Sequence, residues 1–351
     1  MPLDSARFAP PDCRRAVDIA NHCAIGVPSV KRSAFTTVEL LIAISIIAIL
    51  GTLTFVGMKS VNRNMKSQST RITLQNTASM LEEWSHAMNG MVNLPAGPLD
   101  AAYCPPPPAV LNPLIVRLGS AERTGTRIVL TRAVFKRLMR VPAIAKMQQN
   151  LPQQTLMNFT LPAPGSAWGA GNSYALGATV QYPAGTAYVC GTAHTSLDVP
   201  DPNANRPDTP RGAALWLLYD NSNPTLLDTF GNPILFVPAT GLSNVAVGGR
   251  LCSITSFGVV QQPSIPPRVV GANFNAGQYC YWTDGKIYRA SDAGSVVDPP
   301  TAPWVLQPSK PFFASAGPDG IFGFIDNNAN GVYDPGTDTS GGDDNIYSFE
   351  N

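Results

Sequence analysis

The chain is poor in charge and in histidine. Lys, Arg, Asp and Glu make up 13% of its 351 residues, and the three histidines are His22, His86 and His194. So few imidazoles, so far apart, leave no His-based triad and no His/Cys zinc cluster to assemble. No Walker loop and no dinucleotide-binding glycine fingerprint occurs either, so an enzyme is not expected. The formal net charge of +1 shows no basic excess of the kind that draws a protein onto nucleic acid. Cysteine is scarce, with six residues and no C-x-x-C pair. The last four, Cys104, Cys190, Cys252 and Cys280, are compatible with two disulfides in any of three pairings, or with buried thiols. Proline is missing between Val30 and Leu94, although the chain holds 33 prolines and 30 glycines. That contrast predicts one long helix near the N-terminus, followed by turns and short strands.

Within the proline-free stretch, Lys31 to Met58 read KRSAFTTVELLIAISIIAILGTLTFVGM. About 20 apolar residues span a bilayer, and Lys31 and Arg32 hold the start of the run in the cytoplasm. Glu39 interrupts the run, and a carboxylate at that depth wants a partner. A free α-amine on Phe35, left by a cut between Ala34 and Phe35, would supply one to a neighbouring copy. The segment resembles the class III leader of type IV pilins and of the pseudopilins of type II secretion. It has the basic pair, the small residue Ala34 where the family usually has glycine, Phe35 as new first residue, Glu39 as new fifth, and the aliphatic block. The resemblance implies that prepilin peptidase removes residues 1–34 and that Phe35 is methylated. It further implies single-pass insertion in a bacterial inner membrane, with the head exported to the periplasm or to a surface filament. Assembly at an inner-membrane platform with other pilin-like subunits follows, Glu39 setting the register. Without residues 1–34 the chain carries 19 basic and 20 acidic residues, a net charge near −1. A plain signal anchor is the alternative.

The expected fold class is α+β. A long helix spans 35–92, lipid-facing below and amphipathic above, with Leu74, Ala78, Leu81 and Met88 on the stripe that meets an antiparallel β head. Gly90 stands where a C-terminal cap belongs. Gly51 and Gly57 are its weak points. Residues 93–165 read as a proline-rich connector followed by a basic amphipathic helix. Arg132, Lys136 and Arg140 share one face of that helix, for an acidic neighbour or for lipid headgroups, or simply as a solvated face. Residues 221–265 supply pilin-type strands. There Asp228, Phe230, Gly231, Asn232 and Pro233 form a tight turn, similar to the D-x-W-G-N-P turn of major pseudopilins.

A repeat brackets those strands. VQYPAGTAYVC from Val180 and CYWTDGKIYRA from Cys280 align Tyr182 with Trp282, Gly185 with Gly285 and Tyr188 with Tyr288, and each is closed by a later tryptophan, Trp216 or Trp304. Each copy, in 166–220 and 266–306, reads as a small hairpin unit. The first resembles the small chitin-binding modules of bacterial chitinases, which implies that exposed aromatic rings serve as sugar platforms. The candidates are Trp168, Tyr182 and Trp216 in one copy and Trp282 and Trp304 in the other, unless these rings simply fill small cores.

The tail, 307–351, is acidic, with seven carboxylates against one lysine. Asp326, Asn328, Asn330 and Gly331 fit the first half of an EF-hand loop, but Thr337 stands where the bidentate glutamate belongs. The better reading is an irregular calcium loop, with Asp319, Asp334, Asp338, Asp343 and Asp344 as further oxygen donors. SAGPDGIFG and DDNIYSFE are similar to the C-terminal end of major pseudopilins, whose loop binds calcium. The expected function is a structural subunit of a type II secretion pseudopilus or type IV pilus-like filament. The alternative is a filament-displayed adhesin that binds polysaccharide.

Overall fold

The computed structural model describes residues 36–90, 94–95, 99–100, 121–152, 155–157, 167–198, 201, 204–219, 224–282, 286–292, 298–325, 327 and 333–349. In chain order its main helices are α1 (Thr37–Ala87), α2 (Ala121–Leu138) and α3 (Pro142–Gln149). The main strands are β1 (Thr179–Gln181), β2 (Ala187–Cys190), β3 (Trp216–Tyr219), β4 (Leu235–Val237), β5 (Leu242–Val247), β6 (Arg250–Thr255) and β7 (Gly258–Val260). They continue with β8 (Tyr279–Tyr281), β9 (Ile287–Ala290), β10 (Trp304–Leu306), β11 (Phe312–Ser315) and β12 (Ile346–Tyr347). The architecture is α+β, a long apolar N-terminal helix and several small antiparallel sheets. The chain divides into two units, 1–56 and 57–351, with the boundary inside α1.

In the first unit α1 is long and apolar enough to cross a membrane, and its apolar residues are exposed, among them Leu41, Ile47 and Leu53. Its first turn is tied by a reciprocal capping box. Thr36 N and Thr36 Oγ1 donate to Glu39 Oε2 at 2.9 and 3.0 Å, and Glu39 N donates to Thr36 Oγ1 at 3.2 Å. The motif satisfies donors that the start of any helix leaves open.

In the second unit α1 carries a buried stripe of Thr70, Thr73, Leu74, Thr77, Met80, Leu81 and Trp84. The sequence stripe is right at Leu74 and Leu81, but Met88 is exposed and three threonines lie inside it. Threonine is tolerated there because its hydroxyl bonds back into the helix: Thr77 Oγ1 donates to Leu74 O at 2.7 Å. The helix runs through Gly51 and Gly57 without a break. It ends at Ala87, where Asn89 takes the left-handed cap position with a φ of +53° and the Gly90 N–H closes the turn on Ser85 O at 2.7 Å, so the expected glycine cap is one residue off.

The basic segment departs most from expectation. Arg132 is 1% exposed, and Ile128 through Phe135 are buried throughout, so α2 is a core helix. The main hydrophobic cluster joins Leu130, Val134 and Leu138 of α2 to Leu74 and Met80 of α1, and to Phe236 of β4 and Phe313 of β11. The aliphatic sides of α2 outweigh its charges because strands close over it; Thr131 Oγ1, for example, accepts a hydrogen bond from Phe236 N at 2.8 Å.

Four sheets position the sites. β5, β6 and β7 form an antiparallel meander, extended by the short strand Leu99–Asp100 pairing in parallel with β5. β4 and β12 flank β11 on its two sides. The two repeat copies form the sheets β1-β2-β3 and β8-β9-β10.

Candidate functional site

The two repeat sheets share one strand register, offset by one hundred residues in their first two strands and by 88 in the closing strand, from Trp216 to Trp304. Val180 pairs with Tyr188 and Cys280 with Tyr288; Cys190 pairs with Trp216 and Ala290 with Trp304. Ahead of each sheet an isolated parallel bridge is repeated, Ala167 to Gln181 and Pro267 to Tyr281. Trp168 N and Arg268 N then donate to Gln181 O and Tyr281 O at 3.1 and 2.9 Å. Trp168 and Arg268 therefore hold the same place in two copies of one fold.

The five proposed sugar-facing aromatics separate into two groups. Trp216 and Trp304 are 2% and 6% exposed, so neither offers a ring face to solvent. They are core residues, each met edge-on by an aromatic at the hundred-residue offset, Tyr174 at 5.1 Å and Phe274 at 5.4 Å between centroids. A three-stranded sheet has little else to bury, and the closing tryptophan fills that need. Trp168, Tyr182 and Trp282 stay partly exposed. Trp168 and Tyr182 meet edge to face at 5.6 Å, and the Arg206 guanidinium lies 5.0 Å from the Tyr182 ring centroid. Arg206 is held from its other side by Asp208 at 2.6 Å and Asp198 at 3.1 Å.

The acidic tail does not gather into one loop. Asp326, Asn328 and Asn330 lie outside the described residues. Both Asp338 oxygens accept backbone N–H groups, from Asn327 at 2.9 Å and Asp334 at 2.8 Å, so this carboxylate and Asp334 order a local turn. Asp343 is spent on Gly248 N at 2.9 Å, in the β5–β6 turn, and on Ser340 Oγ at 3.1 Å. Asp319 and Asp344 do lie side by side. Burial, and then the neighbouring carboxylate, push the Asp319 carboxyl up to about 7, and burial also raises Asp344. Asp344 Oδ2 is 3.4 Å from Arg63 Nη2 on α1, and among the described residues no donor is aligned to the buried Asp344 Oδ1. Among the described residues no group of three or more His, Cys, Asp or Glu is disposed to hold a metal. The pair with an open buried oxygen fits part of a hard-cation shell, the rest of which would have to come from backbone carbonyls.

The Asp228 turn forms as expected and is tied to this tail. Asp228 Oδ1 accepts Phe230 N and Asn232 N at 2.9 and 2.8 Å, while Oδ2 accepts Ser315 Oγ at 2.6 Å. Gly231 alone takes the positive φ, +89°; Asn232 instead sends Nδ2 to Gly317 O at 2.7 Å. At Gly317, with φ of +64°, an added Cβ would sit 2.2 Å from Asp344 O, so the tail can close only on glycine.

No family model, curated protein or solved structure matches the chain. The processing residues Ala34 and Phe35 lie outside the described residues, as does Cys104. Glu39 sits in the capping box, a local partner that the T-x-x-E spacing of Thr36 and Glu39 already encodes and that sequence reading passed over. Cys190, Cys252 and Cys280 are free and buried, so no disulfide joins them to one another. Burial pushes their thiols up to about 12, 11 and 12.

Proposed function

We propose that the chain is a structural subunit of a type II secretion pseudopilus or type IV pilus-like filament. The observation that carries this reading is the single helix α1, apolar and exposed along its lower part and striped with buried residues above. Such a helix combines a membrane anchor with a spine for the head. In this reading residues 1–34 are removed by prepilin peptidase, the head faces the periplasm or the cell surface, and helices pack side by side in the filament. Calcium would be held at Asp319 and Asp344, neutralising two carboxylates that otherwise repel at the base of the tail. The repeat sheets are then two small modules inserted in a pilin-type head.

The capping box sharpens the test of Glu39. Glu39→Gln keeps a side chain that can cap Thr36 but removes the charge, whereas Glu39→Ala removes both. Expressed with an assembly system, both variants should be membrane-bound and cut, and both should assemble poorly. If Glu39→Gln assembled normally and Glu39→Ala did not, Glu39 would be a helix cap and its assembly role would be lost.

A second reading, filament display of a polysaccharide-binding face, is favoured by one specific observation. Trp168 and Tyr182 form a partly exposed aromatic pair at the edge of the first repeat sheet. Retention on chitin or cellulose that is unaffected by Trp168→Ala would count against it.

A further inference from the structure

We infer that the two repeat copies have divided their roles: the first alone carries a glycan-binding face, suited to neutral sugars, and the second is a strut of the head. The inference rests on the polysaccharide-display reading for its ligand and on the paired geometry for the division.

The difference begins at the equivalent pair Trp168 and Arg268. In the second copy the Arg268 side chain is 0% exposed, 3.2 Å from Asp298, and stacked against Phe274 and Trp304 at 5.4 and 5.7 Å. Its Nη1 also donates to Ala272 O at 2.8 Å. A buried, paired and stacked guanidinium offers a sugar no ring face, so Trp282 stands without the neighbour that Tyr182 has. Losing one partner of such a pair is costly, which marks Arg268 as structural.

The connection to the closing tryptophan explains how each copy came to its state. It runs through 191–215 in the first copy and 291–303 in the second. The longer one lays Arg206 over the Tyr182 ring and leaves Trp168 beside it. The shorter one delivers Asp298 to Arg268.

The second copy is also turned to another use. Tyr279 of β8 stacks on Phe257, with centroids 6.0 Å apart and planes 23° apart, and the Gln262 amide clamps the β8 backbone through Tyr279 N at 3.1 Å and Tyr279 O at 3.2 Å. Val260, Ile265 and Ile287 form a buried cluster at the same junction. The first copy has Thr179 where Tyr279 stands and packs instead on the main cluster through Val189, Leu217 and Tyr219, so the Tyr279 anchor is particular to the second copy.

The chemistry of the first face selects its ligand class. Aromatic faces bind the apolar C–H faces of pyranose rings, and Arg206 is already paired with Asp198 and Asp208, so it is not a free cation for a uronate carboxylate. A polyuronate would find no complementary charge in that guanidinium, while a neutral β-linked polymer needs none.

The test uses the full chain in detergent, with chitin, cellulose and polygalacturonate as matrices. Trp168→Ala should lower retention on a neutral matrix roughly tenfold or more, and Trp282→Ala should leave it within about twofold. Arg268→Met should lower the melting temperature by about 5 °C or more, and Trp168→Ala by far less. Equal losses from both tryptophan variants, preferential retention on polygalacturonate, or an unchanged melting temperature for Arg268→Met would each overturn the division. No retention of the wild-type chain on any matrix would remove both the display reading and the glycan face, and the strut would then stand or fall on Arg268→Met alone.

Discussion

Thr70 of α1 and Thr229 of the turn before β4 share a hydrogen bond of 2.8 Å, and the Thr70 side chain is fully buried. Thr229 Oγ1 also lies 2.6 Å from Lys66 O, and Thr229 N lies 3.3 Å from Thr70 Oγ1. One threonine thus joins the stalk helix to the turn that Asp228 organises, and Asp228 joins that turn to Ser315 and the tail.

Thr229→Val keeps the shape of this junction and removes its hydroxyl. It should cost about 1–2 kcal/mol, because Thr70 Oγ1 is left buried with a poorer partner. Urea unfolding of the full chain in detergent measures it, and a change below about 0.3 kcal/mol would mean the contact is incidental.

The Asp319 carboxyl gives a signed pH dependence. In the folded chain it keeps its proton up to about 7, against an ordinary value of 3.8. Between those values the folded state binds more protons than the unfolded one, so stability falls as pH rises through the window. In EDTA the melting temperature should drop between pH 5 and pH 7.5, and Asp319→Asn should flatten the curve. Calcium should raise the melting temperature of the wild-type chain at pH 7.5. If neither calcium nor Asp319→Asn changed the profile, both the pair and its metal would be discounted.

The three described cysteines should resist alkylation. With thiols pushed up to about 11 or 12 by burial, little thiolate exists at pH 8. Peptide mapping after brief iodoacetamide treatment should find Cys190, Cys252 and Cys280 unlabelled in the folded chain and labelled in urea. Labelling of Cys190 in the native state would contradict its burial.

Several of these features were legible in the residues themselves. The absence of proline up to Leu94 and the glycine at 90 bounded α1, and D-T-F-G-N-P announced its turn, because both signals act through local backbone geometry. The repeat was legible as a fold but not as a pair of sites. Two copies with the same strands and the same closing tryptophan leave open which ring is covered, and that depends on Asp298 and Arg206, delivered by connections of different length. Arg132 misled for a related reason: periodicity placed it on a charged face, while strands distant in sequence close over Arg132 itself and leave Lys136 half-buried and Arg140 exposed. The acidic tail announced many oxygens, yet Asp338 spends both of its own on backbone N–H groups and Asp343 spends its own on Gly248 N and Ser340 Oγ, partners that no spacing rule foretells.

The central claim, a filament subunit entering through a pilin-type leader, is tested most directly at the N-terminus of the chain itself. Expressed with prepilin peptidase, purified from membranes and measured as an intact mass with N-terminal fragmentation, it should begin at Phe35 and be heavier there by one methyl group. A chain that still carries residues 1–34, or one cut after the apolar block, would contradict the account.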